Sequence, residues 1–157
     1  MFILKINVSL GTISPNMRHL IIFFLVLFIK HMGSSLRKSI IENDRCSEVV
    51  TLVWLDASVN TNMENHNVQQ QLRSLVNHLK IFDNSNACLN YIQNNSKDNQ
   101  IILIVNGKLG RDIVPRIHRL SQIICIYVYC MNKEKNEKWA QKYPKVNLMF
   151  CFVLLKF

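Results

Sequence analysis

Between residues 48 and 147 the apolar positions alternate between two rhythms. Residues 48–57, EVVTLVWLDA, are an almost unbroken apolar run closed by an acid, the pattern of a strand buried on both faces. After a polar loop, NVQQQLRSLVNHLK places Val68, Leu72, Leu75, Val76 and Leu79 at helical spacing, with His78 on the same helix as a partly exposed group. KIFD is a short candidate strand. NSNACLNYIQNN then offers Asn84 or Ser85 as a helix cap and Cys88, Leu89, Tyr91 and Ile92 as a buried stripe. The run IILIVN, ending at Asn106, predicts a third strand that breaks into the basic segment GKLGR. Beyond it Asp112 can cap a helix with Pro115 in its first turn and Ile113, Val114, Ile117 and Leu120 on its apolar side. QIICIYVYC predicts a fourth strand. NKEKNEKWAQKY predicts a helix capped by Asn132 that docks Trp139, Ala140 and Tyr143 and stops at Pro144.

Four strand–helix alternations with short connections predict an α/β fold, because parallel strands need crossovers that helices supply. The simplest arrangement is a three-layer, flavodoxin-like parallel sheet of order 2-1-3-4, with a candidate fifth strand from the tail. Its core anchors would be Trp54, Leu72, Ile104 and Trp139. In such a sheet ligands bind outside the carboxyl ends of the strands where the order reverses. That point lies between the first and third strands, so Asp56 and Asn106 are expected to meet across it.

The two ends break the pattern. Residues 1–47 read as a hydrophobic leader and linker, residues 48–147 as the α/β domain, and residues 148–157 as an apolar tail, either an edge strand or a truncated end. LIIFFLVLFI, residues 20–29, holds ten uncharged apolar residues; a spanning helix needs about 20. Three readings stand: a dispensable leader with the working chain starting at Met32, a signal or membrane anchor with Gly33-Ser34-Ser35 as a cleavage zone, or a core element.

Charge narrows the partners. The 157-residue chain carries a net +9. Residues 1–47 hold six Lys/Arg against two acids, residues 48–147 hold twelve against eight, and Lys156 supplies the remainder. No run of like charge exceeds two residues, which describes solvated basic faces rather than the cation stripe of a nucleic-acid binder. The five cysteines show neither C-x-x-C nor Cys/His ligand spacing, against both a disulfide framework and a zinc site. A reducing, cytoplasmic setting is the expectation.

The candidate crevice residues are Asp56, Asn106, Gly107, Lys108, Gly110 and Arg111. Asp56 could hold magnesium or a ribose hydroxyl. A lone carboxylate is a poor magnesium site, and the capping of the following loop is the favoured role. The G-x-x-G spacing of 107–110 matches neither the dinucleotide fingerprint nor the P-loop, and Asn-Gly is a common turn pair. A plain turn is therefore favoured over a phosphate cradle, with Arg111 and Arg116 exposed for an acidic partner. There is no G-x-S-x-G motif, and His66, His78 and His118 have no evident Ser or Cys partner. Glu134 and Glu137 read as surface acids pairing with Lys133 or Lys138. No catalytic residue, metal ligand or cofactor is assigned.

The strand-and-loop plan resembles the receiver domains of phosphorelay regulators. These carry acids after the first strand, a phospho-accepting Asp after the third, a Ser/Thr after the fourth and a Lys after the fifth. Asp56 matches the first of these, singly; Asn106 stands at the acceptor position and Cys130-Met131 at the hydroxyl position. By that resemblance the domain is a pseudo-receiver. VTLVWLDASVN, LRSLVNHLKIF, IILIVNGKLGRDIVPRIHRL and IYVYCMNKEKNEKWAQKYPKV are also similar to phrases of an N-terminal module of large invertebrate multidomain proteins. Those proteins continue into arginine-type ADP-ribosyltransferase domains, tetratricopeptide repeats, or both. The transferase pattern R…S-T-S…E-x-E is not matched by EKNE, so the resemblance implies no transferase activity here.

The resulting expectation is a non-catalytic interaction or regulatory module, a fragment of a larger signalling or modifying protein, with a protein partner. The alternatives are a small nucleotide- or NAD-handling enzyme domain, with Glu134 the nearest acid by chain position, and a module tethered to a membrane through residues 20–29.

Overall fold

The computed structural model describes residues 50–60, 63–95, 99–130 and 133–150. Five strands are present: β1 (Val50–Leu55), β2 (Leu79–Phe82), β3 (Gln100–Asn106), β4 (Ile123–Cys130) and β5 (Val146–Phe150). Helices α1 (Met63–Leu75), α2 (Ser85–Asn94), α3 (Gly107–Ile117) and α4 (Lys133–Ala140) alternate with them. The strands form one sheet of order β2-β1-β3-β4-β5, and every neighbouring pair is parallel. This is the strand order and direction of a flavodoxin-like fold, with the fifth strand in place beside the fourth.

The strands are parallel because a helix separates each from the next, and that arrangement buries the central strands twice. All six residues of β1 and five of the seven in β3 are buried. On one face Val53, Leu55, Leu103, Val105, Ile126 and Val128 pack with Cys88 and Ile92 of α2, Ile113 and Ile117 of α3, and Ala140 of α4. On the other, Leu52, Trp54, Ile102, Ile104 and Tyr129 pack with Leu72 of α1 and with Val76 just beyond it. Trp54, Leu72 and Ile104 are core residues as expected, whereas Trp139 is only partly buried, at the edge of the first cluster. The registers in β3 and β4 slip between Ile101 and Ile102, so that Ile101 faces Ile123 and Ile102 faces Cys125.

Local capping follows the sequence in one helix and departs from it in another. Asn84 caps α2, its side-chain oxygen accepting from Ala87 N at 2.9 Å. Helix α3 starts at Gly107 rather than near Asp112, because Asn106 itself is the cap. There is consequently no Asn-Gly turn, and Asp112 is an exposed residue of the second turn. Pro115 is not in the first turn but inside the helix, two residues before its end at Ile117. There its missing N–H leaves the Arg111 carbonyl without the usual helical donor. Helix α1 ends at Leu75, so Leu79 belongs to β2 and His78 to the preceding connection. His78 is held there by its carbonyl, which accepts from Leu52 N at 2.8 Å. The expected Asn132 cap and the apolar stretches 20–29 and 151–157 lie outside the described residues. Among the described residues no helix is long and apolar enough to cross a membrane.

Cys88 is fully enclosed between α2 and the sheet, and burial pushes its thiol up from 9.0 to about 12. The neutral thiol is thus favoured in the folded state. Its contribution to stability is complete below pH 9 and is lost as pH rises toward 12. Urea unfolding at pH 8 and pH 11 is expected to show a larger fall in stability for the parent chain than for Cys88→Ala. Equal falls in the two proteins would contradict this placement of the thiol.

Candidate functional site

The carboxyl ends of β1, β3 and β4 lie side by side, because β3 is hydrogen-bonded to both neighbours. Leu55 pairs with Val105 and Asn106 with Tyr129, which brings Asp56, Asn106 and Tyr129 to one edge of the sheet. Asp56 is 7% exposed, so its oxygens need partners from the protein. They have them. Oδ1 accepts from Ser58 N and Ser58 Oγ, each at 2.8 Å. Oδ2 accepts from the Tyr129 hydroxyl across the end of β3. The loop after β1 is closed further by Val59 N donating to the Asp56 carbonyl at 3.0 Å. The carboxylate therefore caps its own loop and anchors the end of β4.

Asn106 is engaged in a different way. Its side-chain oxygen accepts from Leu109 N at 2.9 Å, satisfying one of the amide hydrogens that the first turn of a helix leaves open. Asp56 and Asn106 both terminate strands at the predicted switch point, and each is committed to a structural bond there.

The open cleft is one strand further along, at the ends of β3 and β4. It has a volume of about 440 Å³ and is lined by Asn106, Gly107, Lys108, Arg111, Tyr129, Cys130, Lys135 and Asn136. Four of the six predicted crevice residues line it; Asp56 and Gly110 do not. Gly110 is instead buried beneath Trp139, whose ring would lie 3.3 Å from a Cβ at that position. Lys108 and Arg111 are exposed on the first turns of α3, and Lys135 is exposed on α4. They bring three cationic side chains to the rim of a cleft whose floor includes the N-terminal turn of α3. Anions are favoured at that end of a helix.

Asn136 organises this cleft and has no distinctive sequence signal. It is 5% exposed although it sits in a strongly polar helix. Its Oδ1 accepts from Trp139 Nε1 at 3.0 Å and from Arg111 at 3.3 Å. A Cβ at residue 107 would stand 2.7 Å from the same oxygen. A larger residue at 107 would thus force the Asn136 side chain to move, a constraint that comes from the approach of α4 and not from backbone conformation. Tyr129 was also missed from sequence. The strand alternation that puts it on the Trp54 face, one residue before the end of the run, was its available signal. Cys130, also on the lining, has its thiol pushed up by burial, against smaller opposing effects of Asn136 and Arg111.

Glu134 is exposed on α4 and is not among the cleft-lining residues. His118 packs edge-on against Tyr143 at 4.7 Å between ring centroids, and His66 is exposed on α1. Among the described residues no three His, Cys, Asp or Glu side chains come together as metal ligands. The arrangement can hold an anionic group by charge and hydrogen bonding.

Two substitutions separate these bonds from chemistry. Asn106→Ala removes the cap and is expected to cost about 0.5–2 kcal/mol, whereas Asn106→Asp keeps the acceptor and should hold stability near the parent value in urea titrations. Tyr129→Phe strips Asp56 Oδ2 of its buried donor and is expected to cost about 1–3 kcal/mol, measured the same way; a neutral Tyr129→Phe would show that the bond carries no stability. Comparison of the chain with family models, with curated proteins and with solved structures gave no match.

Proposed function

We propose that this domain is a non-catalytic, receiver-like module that works by contact, presenting the basic cleft between β3 and β4 to an acidic group on a protein partner. The observation that supports this reading is the state of the sheet edge. The single acid after β1 is already bound through both oxygens by Ser58 and Tyr129. The residue after β3 is an amide used as a helix cap. An amide cannot accept a phosphoryl group as a carboxylate does, and a lone buried carboxylate with its oxygens taken offers little to magnesium. What the edge does offer is Lys108, Arg111 and Lys135 around an accessible space. Such cations suit a carboxylate- or phosphate-bearing segment, Arg111 as a planar fork and the lysines as point charges. A place in a larger signalling or ADP-ribosyltransferase-type protein, and a cytoplasmic location, accompany this reading as proposals.

The same cleft favours one second reading, a nucleotide-binding domain. Its volume lies within the range of small-ligand sites, about 300–1,000 Å³, and its cations would meet phosphates. The absence of Glu134 from the lining weighs against NAD cleavage by that acid.

Incubation with acetyl phosphate and magnesium is expected to leave the protein unmodified, by intact mass and by phosphate-affinity electrophoresis. A stable acyl-phosphate would overturn the pseudo-receiver reading. Calorimetric titration with ATP and NAD decides between the two readings. Affinity weaker than about 100 μM, or about 5.5 kcal/mol, supports the contact module. Tighter binding that is lost in Lys108→Ala/Arg111→Ala supports the nucleotide domain.

A further inference from the structure

The charge of the domain is not spread evenly over the sheet. Residues 50–95, which supply β1, α1, β2 and α2, hold two Lys/Arg against three acids. Residues 99–150, which supply β3, α3, β4, α4 and β5, hold nine against three. Along the chain these cations are scattered, with no run of like charge longer than two residues. The fold gathers them, because α3 and α4 lie side by side on one face of the sheet.

The seam between the two helices is fixed at three levels. Near their first turns Arg111 donates to Asn136 Oδ1 at 3.3 Å. Next along, Trp139 packs over Gly110. At the far end His118 and Tyr143 pack edge-on, with ring centroids 4.7 Å apart. Each helix returns from the carboxyl edge of the parallel sheet to its amino edge, so α3 and α4 run in the same direction and both start at the cleft.

Cations flank this seam on both sides. Lys108 and Arg111 are exposed on α3, and Arg119 in the turn after it. Lys135 and Lys138 are exposed on α4, and Lys142 in the turn after it. At about 3.6 residues per turn, Lys135, Lys138 and Lys142 stand within about 100° of Trp139 around the helix axis, whereas Glu134 and Glu137 stand about 140–160° away, on the flank turned from α3. By the same geometry Lys108 and Arg119 stand within about 80° of Arg111, and Asp112 lies farther round, at about 100°. The α3 row is about 16 Å long and the α4 row about 10 Å, and packed helices lie about 8–10 Å apart.

A ligand that meets both rows has to send charge alternately to two sides. An extended polypeptide does so, since its successive side chains point in opposite directions, and about five residues at about 3.3 Å each cover the longer row. A single strand of nucleic acid would instead need open ring faces beside the cations on which its bases could stack. The rings on this seam are turned on one another: Tyr143 stands edge-on to His118 and to Trp139, with interplanar angles of 62° and 60°. Trp139 is further committed by its bond to Asn136.

We propose that the seam between α3 and α4 docks an extended acidic segment of a protein partner, with one end of the segment in the cleft and its carboxylates alternating between the Lys108–Arg111–Arg119 row and the Lys135–Lys138–Lys142 row. This rests on the reading of the domain as a contact module and names the partner's form: several acidic residues in succession, where the cleft alone asks for one anionic group.

The test uses the full chain and fluorescein-labelled hexaglutamate, followed by fluorescence anisotropy. Lys138→Gln/Lys142→Gln, which removes two cations outside the cleft, is expected to weaken binding about fivefold or more, the loss of two exposed ion pairs. Arg73→Gln/Lys80→Gln, the same change of charge on the other half of the domain, is expected to leave it within about twofold. Equal losses in the two variants would overturn the proposal in favour of unspecific attraction, and so would tighter binding of labelled hexathymidylate, in favour of nucleic acid. Binding that needs Lys108 and Arg111 but not Lys138 and Lys142 would overturn the extended track and leave the cleft reading standing. A chain that does not bind hexaglutamate at all would overturn both.

Discussion

The double burial of β1 and β3 is the constraint on which the rest of the molecule depends. A parallel strand cannot expose one face to water as a hairpin can, because its connections run over the sheet as helices. Val53 and Leu55 point to the α2–α3–α4 layer, and Leu52 and Trp54 to the α1 layer. Once the chain accepts that geometry, the ends of the central strands are a place where polar side chains can gather without crossing the core. Asp56, Asn106 and Tyr129 are there for that reason.

What gathers at that edge is used for architecture. In an active α/β site the side chains at strand ends keep free lone pairs or protons for a ligand. Here the carboxylate closes its own loop and receives the Tyr129 hydroxyl, and the amide starts α3. The usable space is displaced to the neighbouring strand junction, where its character is set by cations on two helices instead of by acids on two strands. That displacement is what the proposed reading as a contact module rests on.

Much of the architecture was legible in the residue pattern. Strand order, parallel direction and the Trp54, Leu72 and Ile104 core follow from apolar periodicity and short connections. The errors were local and have one cause each. Asn106-Gly107 resembles a turn pair, but asparagine is equally a preferred helix cap, and here it caps a helix that starts at Gly107 in spite of the low helix propensity of glycine. Pro115 pulled the expected helix start toward itself because proline is favoured in a first turn, yet a proline two residues from a helix end breaks few bonds. The site was less legible than the fold. Lys108 and Arg111 could be placed from chain position, whereas Asn136 and Lys135 enter through the tertiary approach of α4 to α3, which leaves no periodic trace in a helix as polar as KEKNEKWA.

The contact between Asn136 and Gly107 has a consequence for how this domain can diverge. The two positions are 29 residues apart in sequence but share one small volume, so residue 107 cannot grow while the Asn136 side chain keeps its place. A descendant that enlarges residue 107 must first shrink or withdraw the side chain at 136, releasing Arg111 and Trp139 together. The close contact between the third and fourth helices therefore changes in a fixed order, and lineages that have lost the glycine should have lost the asparagine before it.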